Sequence, residues 1–364
     1  MKIYRIKTIF VLLLFGLVSL VSCIREDDTP VKVPPIVGAI ISPDVGGATE
    51  PNQVWINLSD GKQTTNKRDS WDLAFYSGEE FRVVLNSSIM MAVGEIENAT
   101  DLNFVTPEMV NDLKTKVQVG NFTANEQYID DPSGNYLKQK TGIAEIKLED
   151  SENAVYLLNM GRKLYTGTVL PNGVFTGGEG RGWKKIKILR HTKGYKIQYA
   201  DLEATSYQEI IVEKNSDYHF QFVNLETQSL VNVQPKKKDW DLCFTVFTNL
   251  IQNPAISAFT SYIFPDMVLN NRLSNVQIYQ VKTTEIAYED FKKEHIKETL
   301  FIKDDQRAIG SNWRTTTGPN GAEVFTDRFF ILKNADGFYF KIKFLRMKNE
   351  ESYRGFPQFE YEPL

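Results

Sequence analysis

Two carboxylates stand in nearly the same sequence setting and are the first candidates for chemistry. Asp72 lies in KRDSWDLAFY (67–76), and Asp241 lies in KKDWDLCFT (237–245). A pair of carboxylates divides acid and base catalysis only when both converge on one cleft. Residues duplicated together with their surroundings occupy equivalent places in two copies. We therefore predict that both aspartates accept backbone hydrogen bonds or pair with a nearby base, and that Trp71 and Trp240 are core anchors.

The rest of the sequence carries no catalytic signature. It contains no GxSxG, HExxH, Walker A or GxGxxG motif. The Gly-rich stretch GGEGRG (177–182) precedes a strand pattern and not a helix, so it lacks a helix N-terminus that could hold phosphate. Three histidines and two cysteines make a zinc site improbable, and none is predicted. We predict a protein that is not an enzyme. A formal net charge of −4 argues against nucleic acid as a partner.

Strand patterns dominate the chain. Short runs rich in Val, Ile, Tyr and Phe alternate with polar residues and are separated by Gly- and Asn-containing turns, as in antiparallel sheets. Examples are FRVVLN (81–86), KKIKILR (184–190), FFILK (329–333) and FYFKIKFL (338–345). Helix patterns are few: 106–117, where Pro107 suits the first helical position, and 283–296. The sequence predicts an all-β, mostly antiparallel fold with a few short helices.

The patterns occur twice, in the same order. An aromatic strand (54–62 and 219–231) precedes each Trp-Asp-Leu motif, and a β-hairpin follows late in each half. We align the hairpin at 182–202 with that at 327–347, which matches Gly194 with Gly337. Preserved order indicates a tandem duplication. The predicted organisation is two homologous β modules, 46–214 and 215–364.

The N-terminus reads as a targeting segment. MKIYRIKT is basic, and a short apolar run (9–21) leads to Ser22 and Cys23. Residues 1–22 are predicted to be a signal peptide, and 23–45 a Pro-containing tether. LVSC (20–23) resembles the bacterial lipobox, which implies lipidation of Cys23; the alternative is an ordinary signal peptide with a coincidental cysteine. With Cys23 lipidated no internal disulfide can form, and Cys243 is predicted to be a small buried apolar residue.

With both halves in view, the chain resembles the HmuY family of haem-binding surface lipoproteins of Bacteroidetes, as two tandem modules. The carrying residues are 70–86, 239–249, 309–314, 327–345 and 354–362. The resemblance implies an antiparallel β fold, a lipid anchor at the cell-surface side of the outer membrane, and haem as cofactor or cargo for a TonB-dependent outer-membrane transporter. The acidic IREDD after Cys23 resembles the surface-export signal of such lipoproteins.

The family's axial haem ligands cannot be carried over. They are a pair of His, or Met in some members, in the hairpin and loop before the last hairpin, whereas 312–328 contains no His, Met, Cys or Tyr. His191 is predicted to lie in a solvated turn and His295 on a solvent-facing helix. Axial ligation needs opposed side chains across a flat apolar slot. The remaining ligand candidates, for each of which core packing is the alternative, are Met90, Met91, Met160, Tyr165, His219 and Met267.

Two functions remain open from the sequence. The first is capture of haem or a related porphyrin at the cell surface by a non-enzymatic binding lipoprotein. The second is a β scaffold that has lost haem ligation and binds a glycan, a peptide or a partner protein. The missing His pair favours the second function, and the family resemblance favours the first.

Overall fold

Most of the regular structure is antiparallel β-sheet, as the sequence predicts. The computed structural model describes residues 37–364 apart from 139, 175–176 and 318–320. The predicted signal peptide, Cys23 and the tether as far as residue 36 lie outside the described residues, so those predictions stay predictions. No helix in the described part of the chain is long and apolar enough to cross a membrane.

Twenty strands follow one another along the described part of the chain. The first ten are β1 (Ala39–Ile41), β2 (Asn52–Ile56), β3 (Gln63–Lys67), β4 (Leu73–Tyr76), β5 (Val83–Leu85), β6 (Ala92–Glu95), β7 (Val155–Asn159), β8 (Trp183–His191), β9 (Gly194–Asp201) and β10 (Gln208–Glu213). The second ten are β11 (Phe220–Asn224), β12 (Ser229–Val231), β13 (Leu242–Asn253), β14 (Ala258–Asn270), β15 (Gln277–Lys282), β16 (Arg314–Thr315), β17 (Glu323–Val324), β18 (Arg328–Lys333), β19 (Tyr339–Lys348) and β20 (Arg354–Pro363).

Helical structure is brief. The helix predicted at 106–117 is present as α1 (Asn111–Lys116), which directly follows a 3-10 turn. The helix predicted at 283–296 is wrong. The segment instead forms successive turns and one 3-10 turn. From these turns the buried Tyr288 and Phe291 and the partly buried Ile286 and Ile296 reach one apolar cluster. The 3-10 turns are Leu102–Phe104, Glu108–Val110, Glu126–Tyr128, Asp150–Glu152, Arg272–Ser274, Lys293–His295 and Glu298–Leu300.

Four main sheets repeat one arrangement twice. Sheet I has the order β5-β4-β11-β12, and sheet II the order β6-β7-β8-β9-β10. Sheet III has the order β3-β2-β13-β14, and sheet IV the order β15-β18-β19-β20-β1. A two-stranded ribbon, β16-β17, completes the sheets of the described residues. Sheets I and II therefore correspond to sheets III and IV.

The sheet order corrects the alignment of the two late hairpins. Strand β8 occupies the third position of sheet II, and β19 the third position of sheet IV. Lys185 on β8 and Lys341 on β19 are both buried, and each donates its ammonium to a loop carbonyl, of Val105 and Tyr288 respectively. The true counterparts are therefore KIKILR (185–190) on β8 and KIKFLR (341–346) on β19. The predicted alignment, which matched Gly194 with Gly337, paired β8 with β18 instead and was wrong by one strand.

The two modules exchange their first hairpins. The hairpin β2-β3 pairs through β2 with β13, whose Trp-Asp-Leu motif lies in the second half of the chain. The hairpin β11-β12 pairs through β11 with β4, which follows the first Trp-Asp-Leu motif. Each of sheets I and III is thus built from both halves of the chain, and β1 also crosses over, to β20.

Strands β4 and β13 are buried on both faces, which explains their continuous apolar sequences. Leu73 and Phe75 face a core shared with sheet II, and Leu242 and Phe244 face a core shared with sheet IV. The residues between them, Ala74 and Cys243, face a third cluster in which sheets I and III meet. The sheets therefore stack in the order II, I, III, IV, and the centre of the molecule is the aromatic layer between I and III.

Candidate functional site

The two aspartates of the repeated Trp-Asp-Leu motif hold the exchanged strands in place. Asp72 donates its backbone N–H to the Val223 carbonyl and accepts the Leu225 N–H at Oδ2, 2.7 Å away. Asp241 donates to the Ile56 carbonyl and accepts the Leu58 N–H at Oδ2, 2.8 Å away. Both predictions of backbone acceptance are confirmed. The two carboxylates do not form a catalytic pair, because each one accepts a backbone N–H that follows the exchanged strand paired with its own motif.

The two aspartates differ in electrostatic environment. The Arg181 guanidinium lies 2.7 Å from Asp72 Oδ1, with both side chains almost fully buried. Burial raises the pKa of Asp72, and Arg181 opposes that shift. Asp241 has no base within salt-bridge distance in the described chain, so burial raises its pKa to about 7. The first aspartate is the anion of a buried ion pair, and the second titrates near neutral pH.

Asp241→Asn is expected to become more favourable relative to wild type as pH rises. Folding raises the pKa of the Asp241 carboxyl from 3.8 to about 7, so the protonated group stabilises the folded state. This stabilisation is fully present below about pH 4 and is lost as the pH rises from there through 7. Asparagine cannot ionise, so the difference in unfolding free energy, variant minus wild type, should rise by about 2–3 kcal/mol between pH 5 and 8. Denaturant unfolding of wild type and variant at both pH values measures this difference. A pH-independent difference would show that Asp241 keeps an ordinary pKa.

One ligand candidate, His219, lines a cavity between sheets I and III, which we call the intermodule cavity. Its volume is about 90 Å³, and its walls include Trp55, Trp240 and Phe222. His219 lies at its edge, with Nε2 2.7 Å from Ser274 Oγ, and burial lowers the pKa of His219 to about 4. Cys243 is buried, as predicted, and burial raises the pKa of its thiol. Sites for drug-sized ligands have roughly 300–1,000 Å³, so this cavity does not take a porphyrin.

Most other candidate ligands are buried in the cores. Met91 and Met160 are 1% and 0% exposed in the core between sheets I and II. Met267 is 1% exposed on β14 of sheet III. Tyr165 is half-buried in the long loop between β7 and β8, where its hydroxyl donates to the Thr168 carbonyl. A buried thioether in a packed core fills space, so we do not place a ligand on these three methionines.

Met90 is different, because its side chain borders a surface groove of about 380 Å³. We call this the Met90 groove. Trp183 forms one wall, and Gly161, Gly180 and Gly182 form much of the floor. A Cβ placed on Gly180 or Gly182 would meet no atom within 4 Å, so the groove is open above them. Other lining residues are Gln118, Val119, Asn159 and Arg162.

The backbone of Met90 is in the left-handed region, with φ of +66°. Met90 lies two residues before β6. Asn275 lies two residues before the equivalent strand β15 and has a φ of +65°. Asparagine tolerates this conformation well, whereas a side chain such as methionine does so at some cost. Strained positions cluster at functional sites, so the outlier points to a use for the Met90 side chain.

A second groove of about 380 Å³ lies beside sheet IV and is lined by His295. His295 is half-buried in a 3-10 turn, so the predicted solvent-facing helix position is wrong. Its Nδ1 accepts the Lys292 N–H at 2.9 Å, which places the proton of the neutral ring on Nε2. Metal binding at Nε2 would need the proton on Nδ1, which would break this hydrogen bond. His191 is exposed at the β8-β9 turn, as predicted.

The family comparison agrees with this two-module architecture. The model of the HmuY protein family matches residues 49–215 and again residues 216–361. The chain belongs to the HmuY family. Searches of curated proteins and of solved structures returned no significant match. The boundary between the two HmuY segments falls between β10 and β11, so the hairpin exchange joins one HmuY module to the other.

HmuY proteins form a binding family associated with haem, and the residues present fit haem in part. The Met90 groove offers a soft thioether, an aromatic wall, a glycine floor that lets a flat ring approach the backbone, and the Arg162 cation at the rim. It does not offer a second axial ligand among its described lining residues. The described chain also contains no cluster of three or more His, Cys, Asp or Glu side chains suited to a metal ion.

Sequence reasoning missed several residues of this groove. Trp183, Arg162 and the three glycines were not assigned to any site. The signal was present in GGEGRGW (177–183), where glycines end at a tryptophan, but a Gly-rich loop without a helix has many other uses.

Proposed function

We propose that this HmuY protein captures haem or a related porphyrin in the Met90 groove of its first module. The observation that carries the proposal is the placement of Met90. Of the six described methionines, four are at most 1% exposed, and Met109 lies on the surface away from the described cavities. Met90 alone combines an accessible side chain with a groove of ligand size.

Different groups of the Met90 groove suit different parts of a haem molecule. The macrocycle is apolar and flat, so it suits the Trp183 face and the glycine floor. The propionates are anionic, and Arg162 at the rim is a charge-assisted donor for them. Among the described lining residues, the Met90 thioether would hold the haem iron, and as a soft ligand we expect it to favour ferrous over ferric haem.

Met90→Ala is expected to weaken haem binding about tenfold or more, with the larger loss for reduced haem. The experiment titrates residues 24–364 with haem under oxidising and reducing conditions and follows the Soret and Q bands. Met109→Ala is the matched control, since Met109 is 55% exposed and lines none of the described cavities. Met109→Ala removes a thioether outside the Met90 groove and should leave haem binding unchanged.

Two results would count against the proposal, and they differ. A spectrum indistinguishable from free haem at micromolar protein would remove the haem function and leave a glycan, peptide or protein ligand. A saturable Soret shift that survives Met90→Ala but is lost in His295→Ala would move the site to the groove beside sheet IV.

Capture at the cell surface is the second part of the proposal. It is supported by the lipobox-like LVSC (20–23), the following acidic residues and the family membership. Cys23 would carry the lipid, and a TonB-dependent transporter would receive the haem. Incorporation of labelled palmitate that is lost in Cys23→Ala tests the anchor; unchanged labelling in that variant would contradict it.

A further inference from the structure

The intermodule cavity is built as a polar site inside an aromatic box. Trp55 and Trp240 meet edge to face with ring centroids 4.8 Å apart, and Trp71 and Phe222 do so at 4.9 Å. All four side chains are at most 7% exposed. They come from both exchanged hairpins and both Trp-Asp-Leu motifs, so the cavity exists only because the modules are joined.

One indole N–H in this box has no acceptor. Trp71 Nε1 donates to Gln53 Oε1 at 2.9 Å, and Trp55 Nε1 donates to Asn66 Oδ1 at 2.8 Å. Trp240 Nε1 is buried and has no hydrogen-bond partner in the described chain. A buried unpaired donor costs about 1–3 kcal/mol, so its presence in a cavity wall calls for an acceptor from outside the protein.

The pseudo-symmetry of the modules explains why this donor is unpaired. Leu73 pairs with Val223 on β11, and Leu242 pairs with Ile56 on β2. Three residues earlier on each exchanged strand stand Phe220 and Gln53, which are therefore equivalent. Gln53 accepts from Trp71, whereas Phe220 has no polar atom to offer at the corresponding position. The second copy therefore has the donor without the internal acceptor.

Two further lining residues present unpaired polar atoms. Arg272 donates from Nη1 to the Gly134 carbonyl and from Nη2 to Asn135 Oδ1, while its Nε is buried without a partner in the described part of the chain. Arg272 has no carboxylate within salt-bridge distance among described residues, and it is the only Lys, Arg, Asp or Glu that lines the cavity. Gln234 Oε1 is a buried acceptor that also lacks a donor. The neutral His219 adds no charge.

We propose that the intermodule cavity binds a small free carboxylic acid whose apolar body is at most one ring. Trp240 Nε1 and Arg272 Nε both lack an acceptor, and the positive charge of Arg272 favours an anionic one, of which a carboxylate supplies two oxygens. The aromatic walls require an apolar or aromatic body. Size sets the upper limit: a cavity of roughly 150 Å³ holds one benzene ring, and this one has about 90 Å³. A single ring therefore fills the cavity and extends into its opening towards the surface, and a second ring has no space.

Calorimetric titration of the full mature chain with benzoate tests the proposal. Benzoate should bind saturably at millimolar concentrations or below, benzamide should bind at least tenfold more weakly, and 2-naphthoate should not bind. Trp240→Phe keeps the ring and removes the N–H, so it should weaken benzoate binding about tenfold. Trp183→Phe, remote from this cavity, is the matched control and should leave benzoate binding unchanged.

Phe220→Gln is an independent second variant, in case Trp240→Phe fails to fold. It places an amide where Gln53 stands in the other module, so it should satisfy Trp240 internally and weaken benzoate binding to a similar extent. Equal affinity for benzoate and benzamide, or no saturable heat, would overturn the proposal and leave ordered water as the partner of these groups. Met90→Ala should not alter benzoate binding, so failure of this proposal and failure of haem capture are distinguishable.

Discussion

Replacing Asp72 with alanine is expected to lower the free energy of unfolding by about 3–5 kcal/mol, because it leaves Arg181 buried without its counter-ion. Arg181 has 2% of its side chain exposed, and its remaining partners are the Met160 carbonyl and the partly exposed Glu226. The Leu225 N–H loses its acceptor in the same change. Chemical denaturation, followed by tryptophan fluorescence, gives the difference.

The second Trp-Asp-Leu motif supplies the matched control. Asp241→Ala removes the same carboxylate and the same kind of backbone acceptor, for the Leu58 N–H, but leaves no buried base behind. Its expected cost is about 1–3 kcal/mol. Asp72→Asn keeps an acceptor for the Leu225 N–H but leaves Arg181 with only the partly exposed Glu226 as counter-ion. It should therefore be nearly as harmful as Asp72→Ala. Equal losses for Asp72→Ala and Asp241→Ala would mean that the Arg181 pair contributes nothing beyond the backbone hydrogen bond.

The secondary structure of this protein and its division into two modules could be predicted from the sequence, because both depend on short sequence patterns. Alternating Val, Ile, Tyr and Phe specify strands, and the repeated Trp-Asp-Leu motif specifies two modules with buried tryptophans. The burial of Cys243 followed from its apolar neighbours. The roles of Asp72 and Asp241 followed from the chemistry of a carboxylate at the start of an apolar strand.

Strand partners could not be predicted in the same way. Strand β2 has the same pattern whether it pairs with β4 of its own module or with β13 of the other, because duplication made the two edges alike. The late hairpins were misaligned for a related reason, since several strands share the same alternation. Only the repeated KIKILR and KIKFLR segments identify the register. Partner choice is a long-range property, and short patterns specify it weakly.

The candidate site shows the same limit on a smaller scale. Met90 and Met91 are neighbours in SSIMMAV, yet one borders a groove and the other is 1% exposed in a core. The difference arises from a left-handed residue just before β6, and the sequence gives no turn signal such as Gly or Asn there. In the second module the same turn carries Asn275, which a comparison of correctly aligned modules would have revealed.

The hairpin exchange predicts that neither HmuY segment folds alone. A fragment of residues 37–215 lacks β11-β12, so the β4 edge of sheet I is unpaired. A fragment of residues 216–364 lacks β1, β2 and β3, so β13 and β20 lose partners. Each fragment also exposes the aromatic layer of Trp71 or Trp240 to water. We expect aggregation or non-cooperative melting for each fragment, and a 1:1 complex with cooperative melting when they are co-expressed.

A protease site inserted at the exposed turn of Ser216 and Asp217 gives the matched control. Cleavage after folding breaks the chain between β10 and β11 without removing any strand, so the nicked protein should stay associated and melt close to the intact protein. The alternative is that β2-β3 folds back onto β4 within one module. Arg68 opposes this, because its buried guanidinium donates to the carbonyls of Glu50 and Ser88 and thereby holds the connection between β3 and β4. Monomeric fragments that melt cooperatively and do not associate would show that the exchange is optional, and the intermodule cavity would then depend only on covalent linkage of the modules.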